Sequence, residues 1–359
     1  MPAVSPADGP VAVTGASGYI GSWIVHDLLE QGYAVRACVR DKTKTSKVEH
    51  LLRMGADDAL RGSVELFQAD LAKPGSYDAA FAGCCAVIHA AAGLGHNSET
   101  PQQVYDLCYS ENEHVLESVR RAGTVRRFVF TSSMAAVIDP RPDGYVYTEH
   151  DWFASHPEGW RGKCTEENIG KVRDIAYAFA KMRSEKLCYA AADASGGAFE
   201  AMAILPLHVI GPLMCANHDQ GWAWQSRIRR MMQGEHPKFK MLWNCCDVRD
   251  TAKMHRLCIE SAVAHNGSRY ISAAANRSGE LEHWQLAQRL QELYPGLGPV
   301  SGNEGPPERK TRDLPRSYCL LAMQELGLQP RDIDDTLRAN VDTCLSLGLI
   351  KPSSAAAKL

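Results

Sequence analysis

Tyr177 and Lys181 stand four residues apart in Ala-Tyr-Ala-Phe-Ala-Lys, and no other tyrosine of the chain has a lysine four residues after it. On a helix, residues i and i+4 share a face. A phenol beside an ammonium suits one kind of chemistry. Hydride addition to a carbonyl makes an alkoxide, which needs a proton. A free tyrosine donates at a pKa near 10, so working near neutrality calls for about 3 units of lowering, or roughly 4 kcal/mol of phenolate stabilisation. A lysine ammonium can supply much of that, and it can also hold a ribose. Ser133, in Thr-Ser-Ser at 131–133, can hydrogen-bond the substrate oxygen and hold it against Tyr177. Each residue alone has a plainer role: a surface lysine, a half-buried tyrosine, a serine ending a strand.

The elements that would position these residues alternate along the chain. Short apolar runs at 11–13, 33–39, 64–69, 86–90, 127–131 and 201–205 read as strands. Helical patterns lie between them, over 20–31 with Gly32 as its cap, over 104–122 and around Tyr177. Such alternation implies βαβ units, a doubly wound parallel sheet and an α/β fold of Rossmann type. The expected organisation is a nucleotide-binding domain over 10–205, with a returning strand near 269–275. A smaller, discontinuous substrate domain covers most of 206–350, and 351–359 forms a flexible tail. Ligands of such sheets bind at the carboxyl ends of the strands, where 131–133 would lie.

The first strand runs into Thr-Gly-Ala-Ser-Gly-Tyr-Ile-Gly, with Gly15, Gly18 and Gly21 three apart. Between a strand and a helix this spacing serves a dinucleotide. Gly15 turns tightly, Gly18 admits the pyrophosphate to the backbone, and Gly21 lets the helix sit against the strand. The helix N-terminus offers N–H groups to the phosphates. Thr14, Ser17, Tyr19 and Ile20 of the same turn, with Leu71 and Ala90 after the third and fourth strands, complete the expected contacts. At the end of the second strand stands Arg40, with Lys44 and Lys47 beyond it. A guanidinium there matches a ribose 2′-phosphate and predicts NADP(H); the neighbouring Asp41 is the rival, as a ribose acceptor for NAD. Asp70 is placed either to meet the adenine amino group or to cap the turn that follows it.

The bulk numbers exclude several classes. The chain has 359 residues, 45% hydrophobic and 23% charged, with net charge −3. Its basic residues are scattered, which argues against nucleic acid or an anionic membrane as partner. No run of about 18 apolar residues exists to span a bilayer. No secretory signal is evident, so the twelve cysteines are expected as reduced, buried residues. No pair of them has zinc-site spacing, and no metal is expected. A cytoplasmic location follows, with one alternative: the closing Ala-Lys-Leu resembles a peroxisomal Ser-Lys-Leu address. The expected partner is a small carbonyl compound, and nothing in the sequence bears on oligomeric state.

Taken together, TGASGYIGSW, VRACVRD, FQADL, VRRFVFTSS, YAFAK, ILPLHVIGP, DVRD and VDTCLSLGLIKPS resemble the extended short-chain dehydrogenase/reductases over nearly the whole chain. The resemblance is strongest to the branch of dihydroflavonol 4-reductases, cinnamoyl-CoA reductases and yeast methylglyoxal/isovaleraldehyde reductases. It implies NADPH-dependent reduction of an aldehyde or ketone. Ser133, Tyr177 and Lys181 then take the catalytic roles. Gly15, Gly18, Gly21, Arg40, Lys47 and Asp70 surround the cofactor, and Pro206 lies near the nicotinamide. Ala180 replaces a serine common in the family, Ile138 replaces an asparagine and Leu207 a threonine. Glu111 stands where glycine is usual, an exchange with no physical account. The apolar residues at 138 and 207 favour a less polar substrate, since an unpaired substrate hydroxyl would cost about 1–3 kcal/mol. His96, His208, Trp222 and Trp224 either touch the substrate or serve structure. The rival functions are a 3β-hydroxysteroid or other alcohol dehydrogenase running toward oxidation, and an NADP-sensing regulator without turnover.

Overall fold

A computed structural model describes residues 3–92, 100–139, 141–142, 144–155, 164–220, 223–235, 243–302 and 316–351. His96, Trp222 and the C-terminal Ala-Lys-Leu lie outside the described residues. The strands are β1 Val11–Thr14, β2 Ala34–Val39, β3 Ser63–Gln68, β4 Ala86–His89, β5 Arg127–Thr131, β6 Val146–Tyr147, β7 Glu200–Pro206, β8 His208–Ile210, β9 Trp243–Asp247, β10 Arg269–Ser272, β11 Glu280–Leu281 and β12 Arg316–Ser317. The helices are α1 Tyr19–Glu30, α2 Thr45–Gly55, α3 Asp78–Phe81, α4 Pro101–Tyr109, α5 Glu111–Ala122, α6 Arg173–Asp193, α7 Trp224–Met232, α8 Val248–Glu260, α9 His283–Leu293, α10 Leu320–Glu325 and α11 Ile333–Ser346.

Seven strands form one sheet in the order β10-β7-β5-β4-β1-β2-β3. Every pairing within it is parallel. β1 shows why the strands are so apolar. Val11 and Val13 face a core that includes Ile24, Leu28, Met254 and Cys258, while Ala12 faces another that includes Phe81, Val115, Leu116 and Cys188. A strand covered by helices on both faces has no polar side, so its sequence loses alternation. The strand order reverses between β1 and β4, which opens a crevice at their carboxyl ends.

Beyond β7 a small sheet, β11-β9-β8, packs with α7, α9 and α11 around a separate core that includes Ile228, Met231, Leu286 and Leu337. All twelve cysteines are free, ten of them buried. Among the described residues no helix is long and apolar enough to cross a membrane.

One expected element is corrected. The helix expected over 104–122 is two helices, α4 and α5, broken at Ser110. The apolar period runs through the break and hides it. Asn112 marks it, because its amide donates to the carbonyls of Cys108 (2.8 Å) and Tyr109 (2.9 Å) and to Ser184 Oγ of α6 (3.0 Å). A side chain that hydrogen-bonds local backbone competes with the helix ladder there.

Candidate functional site

The turn between β1 and α1 follows from its glycines. Gly15 has φ +65°, and a Cβ there would lie 2.8 Å from the backbone of Ala91. A Cβ on Gly21 would fall 2.2 Å from the Gly15 carbonyl oxygen, so only glycine lets α1 close onto the turn. Gly18 caps α1 and is exposed, which leaves the helix N-terminus open to an anion. Ser17 and Ile20 are half-buried around it. The Tyr19 hydroxyl donates to the Gly211 carbonyl (2.9 Å), tying the turn to the segment after β8.

Thr14 closes β1 and opens a buried chain of hydrogen bonds that was not legible in the sequence. Its Oγ1 accepts from Ala91 N–H (3.1 Å) and lies 2.7 Å from His89 Nδ1. His89 Nε2 lies 2.9 Å from Asn112 Oδ1. The Asn112 amide nitrogen spends its protons on carbonyls and Ser184, so Oδ1 must accept and His89 carries its proton on Nε2. Thr14 then donates to Nδ1. The chain joins the phosphate turn, β4 and α5 to α6. Ala90 sits half-buried at the end of β4 beside it.

Arg40 and Lys47 are exposed at the end of β2 and on α2. Asp41 turns its Oδ1 back onto Thr43, accepting from its N–H (2.9 Å) and its hydroxyl (2.6 Å), and these bonds hold its carboxyl below the usual range. Asp70 follows β3, and its Oδ1 accepts from Ala72 N–H (3.2 Å), so the turn-capping role is in place. The carbonyl of the buried Leu71 is engaged by His114 Nδ1 at 2.9 Å. Glu111 faces the same region. Burial, then the like charge of Asp70, raises its pKa, while Arg40 opposes the rise. An exposed helix N-terminus without a Cβ, flanked by free-standing cations, fits the phosphates of a dinucleotide.

Ser133, Tyr177 and Lys181 come together beyond the carboxyl end of β5. Ser133 caps a short 3-10 turn with its Oγ accepting from Ala135 N–H (3.2 Å). Its hydroxyl hydrogen-bonds the half-buried Tyr177 phenol. Lys181 is buried, and its Nζ donates to the Thr131 carbonyl at 3.0 Å. That ammonium lies 4.9 Å from the Phe130 ring centroid and 6.0 Å from that of Tyr177. Burial pushes Tyr177 up to about 12, and the Ser133 bond only partly opposes it. Lys181 is itself pulled below its usual range by burial. Its charge is directed at Thr131, and desolvation of the phenol prevails.

Helix α6 is fixed by a second buried network. Ser132 donates to Glu185, which also accepts from Arg269 Nε of β10 (2.7 Å). Arg269 stacks 3.6 Å from the Trp152 ring centroid. The apolar side of the site is equally defined. Ile138 and Leu207 pack on one cluster with Met134, Val137 and Leu205. Pro206 is buried at the end of β7, opposite Ser272. His208 packs its ring on that of Trp224, tilted by 43° with centroids 4.0 Å apart, and burial pushes its pKa down to about 3.

The chain is 31% identical to "Cinnamoyl-CoA reductase CAD2" of Medicago truncatula over 80% of its own length and 81% of that protein's. It is 33% identical to "Dihydroflavonol 4-reductase" of Gerbera hybrida over 98% of this chain and 89% of the other. The fold is shared with the crystal structure of yeast methylglyoxal/isovaleraldehyde reductase Gre2 complexed with NADPH, at TM-score 0.78 and 22% identity, over 95% of this chain and 100% of that one. The profile of the "NAD dependent epimerase/dehydratase family" matches residues 11–271, and the chain belongs to that family of extended short-chain dehydrogenase/reductases.

Proposed function

We propose that the chain is an NADPH-dependent reductase that converts an apolar aldehyde or ketone to an alcohol, with Tyr177 as proton donor. The observation that carries this is the meeting of Ser133, Tyr177 and Lys181 at the end of β5, beside the crevice whose rim holds the glycine turn. The names of the relatives, both reductases, and the NADPH in the yeast structure support it. Arg40 and Lys47 would hold the 2′-phosphate, and the N–H groups around Gly18 the pyrophosphate. NADPH, when bound, supplies the hydride.

The chain's own groups supply the rest. Ser133 Oγ holds the carbonyl oxygen against the phenol. Tyr177 gives that oxygen its proton as negative charge develops on it. The buried Lys181 ammonium, anchored on Thr131, offsets the phenolate left behind. Ile138 and Leu207 present an apolar wall, so a hydrophobic carbonyl binds without stranding a hydroxyl. A phenol held near 12 stays protonated at neutral pH, so Tyr177 meets the substrate with the proton that reduction consumes.

NADPH consumption measured against a panel of aldehydes, ketones, flavanonols and steroids tests this. Tyr177→Phe should lower kcat by about 10²–10⁴ with little change in NADPH binding. Turnover unchanged in that variant removes the mechanism.

A further inference from the structure

Behind the phosphate turn lies a cluster that the reductase chemistry does not use. Cys215 and His218 are three residues apart, and the short 3-10 helix Ala216–His218, capped by Cys215, folds them together. His50 reaches them from α2. One donor atom from each of the three lies within 4.8 Å of the others. The two imidazoles meet edge to face, with centroids 5.1 Å apart. His50 and His218 are 4% and 3% exposed, while Cys215 is half-buried.

A second observation points to a ligand. His50 Nδ1 is buried and has no hydrogen-bond partner. A buried ring nitrogen left unsatisfied is destabilising and calls for a partner. The other ring nitrogen, Nε2, lies 2.8 Å from Ser22 Oγ. One nitrogen held by an outer partner and the other left over is how ligating histidines are commonly oriented.

We infer that His50, Cys215 and His218 form a binding site for one Zn²⁺ ion. Two imidazoles and a thiolate suit a borderline d-block cation, whereas Mg²⁺ and Ca²⁺ take oxygen ligands. Around a tetrahedral zinc ion such donors stand ~3.4–3.6 Å apart, so small side-chain rotations close the set. Binding releases the Cys215 thiol proton to solvent. The half-buried Cys215 side leaves the fourth position to water.

The location gives the ion a task. Ser22 Oγ donates to the carbonyls of Gly18 (2.7 Å) and Ala16 (3.0 Å), and His218 Nε2 lies 3.4 Å from the Ser17 carbonyl. Asn217, between the two ligands in sequence, donates to the Ser46 carbonyl on α2. The ion therefore clasps three segments: the phosphate turn, α2 and the stretch after β8. Cysteine spacing in the sequence does not reveal this site, because it takes one cysteine and its third ligand is remote in the chain.

The test needs no turnover. Tag-free, chelator-stripped full-length protein is titrated with Co²⁺ and then Zn²⁺. One equivalent of Co²⁺ should bind, with thiolate-to-cobalt charge transfer in the near ultraviolet and the intense d–d bands of four-coordination. Zn²⁺ should bleach both and raise the melting temperature. Cys215→Ser should abolish the charge-transfer band. His50→Gln should weaken Zn²⁺ binding by about tenfold or more, since losing a ligand costs at least what losing an outer partner does. Cys164→Ser, at the other half-buried cysteine, should change neither. No charge-transfer band in the unsubstituted protein, the same band in a folded Cys215→Ser, or unaltered affinity in His50→Gln overturns the proposal.

Discussion

Arg40 stands at the end of β2 with its guanidinium in solvent, while its neighbour Asp41 spends Oδ1 on Thr43. That division of labour bears on which cofactor the chain prefers. A guanidinium–phosphate contact contributes about 1.5–3 kcal/mol, so Arg40→Ala should raise the KM for NADPH by about tenfold or more and leave that for NADH nearly unchanged. Steady-state kinetics with both cofactors checks this, and an equal rise for both would assign Arg40 elsewhere. Residues of this kind were legible because chemistry restricts their type and spacing: three glycines in one turn, a tyrosine four before a lysine. Their surroundings were not. The partners of Tyr177 and Lys181 are Ser133 and the Thr131 carbonyl, and the balance of burial against charge that lifts the phenol exists only once the chain is folded.

At the scale of elements, α6 carries both Tyr177 and Lys181, and its seating decides where they point. Glu185, one turn beyond Lys181, is fully buried between Ser132 of the β5 end and Arg269 of β10, itself 4% exposed. A buried ion pair contributes little beyond an apolar pair of the same shape, but breaking one half of it strands a charge. Glu185→Gln keeps the volume and a partner for Ser132, yet takes from Arg269 its ion-pair partner. It should lower the unfolding free energy by about 3 kcal/mol, with Arg269→Met in the same chain recovering part of the loss. Urea unfolding of the single and double variants separates these outcomes; a double variant less stable than the single would argue against stranded charge as the cause. The seven strands of the parallel sheet were legible to within a few residues, most plainly the inner ones, where burial on both faces demands continuous apolar runs, whereas the short strands β6, β8, β9, β11 and β12 were not. The break between α4 and α5 was not, since Asn112, which bonds back to the Cys108 and Tyr109 carbonyls and across to Ser184 of α6, carries no glycine or proline signal.

Across the whole molecule, the sheet gathers candidate groups at the carboxyl ends of β1, β2, β3, β4, β5 and β7, with α2 and α6 supplying the rest, and those ends are tied together from below. Two histidines do much of the tying. His89 bridges Thr14 to Asn112, and His255 of α8 lies 2.8 Å from Thr131 Oγ1 and 2.7 Å from the Thr251 carbonyl. Both are buried, and burial pushes each down to about 4. Their folded pKa values thus lie below the unfolded value near 6.5. Above that value both states are neutral at these positions and pH has no leverage. As pH falls through 6.5 the unfolded chain takes up protons that the native chain refuses, so stability is lost progressively until the native pKa is reached. Each histidine contributes a slope of up to about 1.4 kcal/mol per pH unit and a total of roughly 3 kcal/mol. The melting temperature should therefore fall between about pH 7 and about pH 5, and His255→Gln, which keeps a hydrogen bond to Thr131 without a titrating ring, should flatten that fall by the share of one histidine. Calorimetry across that range provides the check, and parallel slopes for the two proteins would mean that His255 titrates alike in the folded and unfolded chain.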